Sequence, residues 1–173
     1  MPNYFTVLTA KGQPKVAASL LPGGTPLAIS AMGFGDGGGA AVTPVENREA
    51  LVGEVHRRAV NSVVRDAANA NWIVVECVLP PDVGGWTIRE VGLYDADGDL
   101  VGYGNFPDTY KPVLAEGSGK ELIVRLYLEI TSAAQVTLQI NPSVVNATQA
   151  WVAVQIAAAE RAHRARRYHL SQL

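Results

Sequence analysis

The stretch Thr87-Ile88-Arg89-Glu90-Val91-Gly92-Leu93-Tyr94, then Asp95-Ala96-Asp97-Gly98-Asp99, then Leu100-Val101-Gly102-Tyr103-Gly104-Asn105-Phe106 holds two strand-like runs around a tight-turn sequence. Asp-Gly is a pair that tolerates the positive φ angles of a two-residue hairpin turn, so the stretch predicts a β-hairpin. The rest of the chain must then fit a protein built largely from antiparallel strands.

On the C-terminal side, Tyr110 to Gly119 is rich in Pro, Gly and small polar residues and reads as an extended loop suited to function. Glu121–Thr131 and Gln135–Ile140 follow as strands. The first places Leu122, Val124, Leu126, Leu128 and Ile130 on one face and Glu121, Arg125 and Glu129 on the other. On the N-terminal side, Trp72–Leu79 is a strand ended by Pro80-Pro81, and the turn Asn69-Ala70-Asn71 joins it to a long strand over 54–66. Thr43-Pro44-Val45-Glu46 has the form of a capping box, with Pro44 at the first helical position, and predicts a short helix through about Val52. The glycine density from Gly33 to Gly39 predicts a loop. Before it come a strand around Leu27, Ile29 and Ala31, a short helix within Ala10–Leu21 with Pro14 in its first turn, and an opening strand Tyr4–Leu8.

From Ala147 to Leu173 there is no Gly or Pro, and Val152, Ile156, Ala159 and His163 fall at four- and three-residue steps. This predicts one C-terminal helix whose Ala-rich seam is marginal alone in water and would be buried by association with copies of itself. The expected fold is α+β, mainly antiparallel β and sandwich-like, with a short N-terminal helix and a C-terminal helix leading away from it. The expected division is a globular domain over 1–145 and a helical oligomerisation or connector segment over 146–173.

Composition narrows the function. The 173 residues are 48% hydrophobic and 17% charged, which suits a folded domain. A net charge of -2 and a pI near 5.9 give no basic footprint for nucleic acid. No window approaches the roughly 18 apolar residues of a membrane span, and the N-terminus lacks a signal-peptide pattern, so a soluble protein made in the cytoplasm with no membrane partner is expected. The single Cys77, in an apolar run, can form neither an internal disulfide nor a thiolate zinc site and reads as core.

No motif calls for a cofactor, a metal or catalysis. Glu116-Gly117-Ser118-Gly119-Lys120 has Leu114 and Glu121 where a phosphate-binding loop needs Gly and Ser or Thr, and it feeds a strand. Asp95, Asp97 and Asp99 could gather a hard cation, yet the bidentate Glu of a calcium loop is replaced by Phe106. His163 and His169 do not share a helix face, and no Ser, Cys or Thr has the setting of a nucleophile. Asp82, Glu90, Asp95 and Asp108 fall near turns, where a carboxylate is usually solvated. An enzyme is not expected.

Pro81-Asp82-Val83-Gly84-Gly85-Trp86-Thr87-Ile88-Arg89-Glu90-Val91-Gly92-Leu93-Tyr94-Asp95 continues into Gly98-Asp99-Leu100-Val101, Gly104-Asn105-Phe106-Pro107 and Thr109-Tyr110-Lys111-Pro112-Val113-Leu114-Ala115-Glu116-Gly117-Ser118-Gly119-Lys120. This string resembles the signature of the tail-collar fibre family of contractile-tailed phages and related prophages. Tyr4 to Thr9, Gly33 to Gly37 and Ile140 to Val145 resemble the family's opening strand, glycine loop and closing segment, so the resemblance covers residues 1 to about 152. It implies a structural virion protein: the baseplate-proximal end of a fibre, anchoring it to phage baseplate or tail proteins for host attachment. The chain, ending at Leu173, is then either part of a longer fibre or a short adaptor for a downstream fibre protein or chaperone.

Docking without chemistry should rest on exposed aromatic and cationic anchors, and Trp86, Arg89, Tyr110 and Lys111 are the candidates. The alternative places Trp86 and Tyr110 in the core and pairs Arg89 with Glu90 or Asp95. A homotrimer through Val152, Ile156, Ala159 and His163 is the expected oligomer. The rival class is a carbohydrate-binding module contacting host surface glycans through Trp72, Trp86 and Trp151.

Overall fold

The computed structural model describes residues 4–69, 71–114 and 120–130. The hairpin is its centre: β6 (Trp86–Asp95) and β7 (Leu100–Lys111) run antiparallel, and Gly98 turns between them with φ at +84°. Three strands flank this pair, namely β1 (Thr6–Leu8), β2 (Ile29–Gly35) and β3 (Glu54–Ala59), giving a five-stranded sheet in the order β1-β7-β6-β2-β3. A second sheet contains β4 (Ser62–Arg65), β5 (Trp72–Leu79) and β8 (Leu122–Glu129) in the order β4-β5-β8. All strand pairs are antiparallel. The helix α1 spans Gly12–Ser19, with Pro14 in its first turn as expected, and is the one α-helix among the described residues.

The sheets meet because each strand sorts its residues by parity. Ile73, Val75, Cys77 and Leu79 of β5 and Val124, Leu126 and Leu128 of β8 are buried, and they join Phe34, Ile88, Val91 and Leu93 of the larger sheet in one core. Each such side chain contributes about 1.5 to 3 kcal/mol by leaving water. Burial pushes the Cys77 thiol up to about 12, which keeps it an inert core residue. The opposite face of the five-stranded sheet is also covered. The segment 40–53 lies against it, and Leu51 packs with Tyr94, Leu100 and Tyr103 in a second cluster.

Three local expectations give way to tertiary bonding. Residues 43–52 form no helix: the Glu46 carbonyl accepts from Ala10 N–H at 2.7 Å, its carboxylate accepts from Gln13, and the amides of Val52 and Gly53 donate to Glu90. The long strand over 54–66 divides at Val60 and Asn61, which turn the chain from one sheet to the other. Val60 N–H bonds Ser30, while Asn61 bonds Glu76 through its N–H and accepts from Val78 N–H at 2.7 Å. Gly33 and Gly35 belong to β2 rather than to a loop. A Cβ on Gly33 would meet the Tyr94 ring at 2.8 Å and one on Gly35 would meet Glu90 Cγ at 2.6 Å, so glycine lets large side chains lie flat across the strand. Tyr110 and Lys111 likewise continue β7. The expected strand Gln135–Ile140 and helix over 147–173 lie outside the described residues.

Candidate docking surface

The signature string folds into one end of the hairpin. Gly84 and Gly85 enter β6 with φ at +156° and +88°, and Gly85 N–H donates to the Lys111 carbonyl at 2.7 Å. A Cβ on Gly84 would stand 2.7 Å from the Pro112 carbonyl oxygen, so the two chain segments can approach only through glycine. Leu114 N–H donates to the Pro81 carbonyl at 2.9 Å. Lys111, a predicted surface anchor, is only 1% exposed and donates from Nζ to the carbonyls of Pro80 at 3.0 Å and Pro112 at 3.1 Å. It ties the two segments together from inside.

The remaining candidates separate by face. Trp86 stands opposite Lys111 and turns inward, its ring stacked on His56 at 6.0 Å and on Phe34 at 6.4 Å. Tyr110 stands opposite Thr87 on the alternate face and is 52% exposed. Arg89 occupies the irregularity between Ile88 and Glu90, where the register of β6 shifts. Its Nε donates to Asp108 at 3.0 Å and its Nη1 to the Asp36 carbonyl at 3.2 Å, partners other than Glu90 or Asp95. Tyr110 therefore faces outward at the end of the hairpin away from the Asp97-Gly98 turn, with Arg89 half-buried at 21% side-chain exposure and Leu114 exposed. Trp72 packs edge-on against Tyr127 at 5.8 Å. Trp151 and the oligomerisation candidates Val152, Ile156, Ala159 and His163 lie outside the described residues.

Behind this surface is a polar arrangement that sequence reasoning missed. Glu90, expected to be solvated near a turn, is fully buried in mid-strand. Its carboxylate accepts from Val52 N–H at 3.0 Å, Gly53 N–H at 2.7 Å and the Tyr103 hydroxyl at 2.6 Å. Burial, then the Glu90 carboxylate, pushes the Tyr103 phenol well above its ordinary range. Beside it, Arg57 holds Glu54 through paired 2.8 Å bonds and lays its guanidinium 3.4 Å over the Tyr94 ring, whose hydroxyl donates to Glu54 at 2.9 Å. The Arg57 hydrogen bonds hold the Glu54 carboxyl below the usual carboxylate value. The available signal was a charged residue in an apolar run, at the same parity as Gly92 and Tyr94.

The acidic turn is also internally occupied. Asp95, Asp97 and Asp99 bring ligand oxygens within 4.8 Å of one another, but Lys15 Nζ from α1 contacts all of them, at 3.0 Å for Asp97 and 2.7 Å for Asp99. Partial burial acts to lower the Lys15 pKa, and the carboxylates outweigh it, leaving the ammonium charged well beyond the usual lysine range. Asp95 itself is buried and accepts from the amides of Asp97 and Asp99, so it organises the turn. No helix among the described residues is long and apolar enough to cross a membrane.

Comparison with known proteins gives a consistent result. The family model described as phage tail-collar fibre protein, N-terminal, matches residues 1–150. Among curated proteins, the probable tail fiber protein of Escherichia phage P2 is 42% identical over 162 residues, covering 94% of this chain and 24% of that protein. The chain thus spans about a quarter of the length of that relative. No solved structure matches it.

Proposed function

Because the chain belongs to the phage tail-collar fibre family, we propose that it is the end of a tail fibre that anchors the fibre to the tail baseplate for host attachment, acting by surface complementarity and not by catalysis. The observation that carries this reading is the placement of the signature residues. Tyr110 faces outward at the end of the hairpin away from its turn and Arg89 lies half-buried, while Gly84, Gly85, Lys111 and Glu90 tie that end together from within. A rigid patch with an aromatic and an arginine suits an anchor, because little side-chain and loop freedom is lost on docking.

The partners proposed are baseplate or tail proteins, with the segment 146–173 extending as a helix that gathers three copies and passes their symmetry to a downstream fibre protein. The test is to add purified chain to tails assembled without fibres and to recover particles by sedimentation. Saturable co-sedimentation, lost in Arg89→Ala with Tyr110→Ala, is expected. Free chain in the supernatant at every concentration overturns the reading. Light scattering on the whole chain and on a version ending at Asn146 tests the trimer: three copies should fall to one on truncation.

A further inference from the structure

The turn end of the hairpin carries a cleft of about 500 Å³ between α1 and the segment that leads into β2. Pro14 and Ala18 of α1, Pro26, Leu27 and Ala28 of that segment and Ala96 of the turn give it apolar walls. Leu27 is buried, and the Ala28 carbonyl already accepts from Ala96 N–H at 3.1 Å. A helix, two prolines and a hydrogen-bonded turn fix these walls in place, so little chain freedom is lost when the cleft is filled. Its size falls within the roughly 300 to 1,000 Å³ of sites that enclose a ligand.

Charge decides what the cleft accepts. Lys15 lines it and meets the carboxylates of Asp95, Asp97 and Asp99, while Lys11 reaches Asp99 at 3.2 Å. Three carboxylates against these two ammonium groups leave one negative charge over. It is most available on Asp97, whose side chain is 79% exposed, whereas Asp95, at 7%, is engaged by the turn amides and by Lys15. An anion is repelled by this surplus, and a purely apolar ligand leaves it unanswered. We propose that the cleft takes an extended segment of a neighbouring protein chain, with an apolar side chain seated against Pro26 and Leu27 and an adjacent arginine or lysine paired with Asp97.

The position of the cleft gives this contact its use. β6 runs ten residues from Trp86 to Asp95, and Tyr110 stands opposite Thr87 at its start, so the Tyr110 surface and the cleft lie about 30 Å apart along the hairpin. One chain can then hold two neighbours at once, one at each end of the same two strands. The cleft stands on its own walls and charges, whether or not the Tyr110 end docks on a baseplate.

The test is an NMR titration of the isotope-labelled full chain with the blocked dipeptide acetyl-leucyl-arginine amide. The amides of Lys15, Ala18, Ala28, Ala96 and Asp97 should shift together and saturate, while those of Thr87 and Tyr110 stay in place. Acetyl-leucyl-glutamate amide should bind at least about tenfold more weakly. Asp97→Asn should weaken the arginine dipeptide and bring the two probes together, and Ala18→Trp, which fills the cleft from α1, should abolish binding of both. Unshifted amides elsewhere in each variant show that the fold is kept. Absence of saturable shifts at the cleft amides overturns the proposal, as do equal binding of the two dipeptides or undiminished binding to Ala18→Trp. Cleft shifts that follow protein concentration with no dipeptide present overturn it too, and make the occupant a second copy.

Discussion

The Tyr103 hydroxyl on β7 donates to Oε2 of Glu90 on β6 at 2.6 Å, with both residues fully buried. The same carboxylate holds the amides of Val52 and Gly53, so this pair joins the hairpin to the segment lying across its outer face. Replacing Glu90 with Gln puts amide hydrogens where donors already converge, and should cost about 3 kcal/mol, as for a buried charged group that loses its partners. Tyr103→Phe removes one donor and should cost about 1.5 kcal/mol. Urea denaturation of each variant and of the pair measures both. The double variant should lose less than the sum, because the sites share one interaction.

Gly35→Ala should act through the same carboxylate. The added methyl group would stand 2.6 Å from Glu90 Cγ and closer still to Oε1, forcing the side chain off its amides. A loss of about 2 kcal/mol is expected from overpacking. In a Glu90→Gly background, where the obstructing side chain is gone, the same substitution should cost much less. Equal losses in both backgrounds would dissociate Gly35 from the carboxylate.

His56 should make the domain acid-sensitive. Its ring packs with those of Phe34 and Trp86 in a triangle of centroids 6.0 to 6.5 Å apart, and Nε2 has no hydrogen-bond partner among the described residues. Burial, followed by the nearby Arg58 guanidinium, holds the imidazolium below its usual 6.5 against the opposing pull of Glu54. The fold thus favours the neutral ring. That stability is fully present above 6.5 and is lost as the pH falls below it towards the depressed folded value. Thermal midpoints taken from pH 8 down to about 5.5, before the carboxylates titrate, should decline for the unaltered chain and stay flatter for His56→Phe. Parallel curves would remove His56 as the cause.

Arg89→Ala should separate docking from stability. The ion pair with Asp108 is screened on the Asp108 side, which is 63% exposed, but the Arg89 side chain is only 21% exposed and also holds the Asp36 carbonyl, so its loss should cost about 1 kcal/mol. The thermal midpoint should move by only a few degrees, while retention on fibreless tails should fall at least about tenfold if the side chain is an interface anchor. A large fall in the midpoint with retention unchanged would make Arg89 structural.

The elements legible in the sequence were those whose signal is local. The Asp97-Gly98 turn located the hairpin, and alternation in β8 set its faces correctly, because parity and turn chemistry act over a few neighbouring residues. The capping box at Thr43 was equally local and misled, since Glu46 is used by Gln13 and Ala10, more than thirty positions away. The break at Val60 and Asn61 had no local mark either, because it depends on Ser30, Glu76 and Val78. The docking candidates divided in the same way. Residue type selected the candidates, but only the β6–β7 register shows that Trp86 and Lys111 turn inward where Tyr110 turns outward.

The grip of Glu90 on segment 40–53 is made through main-chain amides, which every residue except proline supplies. Gly53 alone is pinned by shape, since a Cβ there would meet Gly38 N at 2.7 Å. The outward side chains of this segment, Val45 and Val52 among them, are therefore free to change chemical character without loosening the layer beneath. Related phages could present different exteriors to different tails on one unaltered framework, with specificity evolving on one side of a backbone whose other side is fixed.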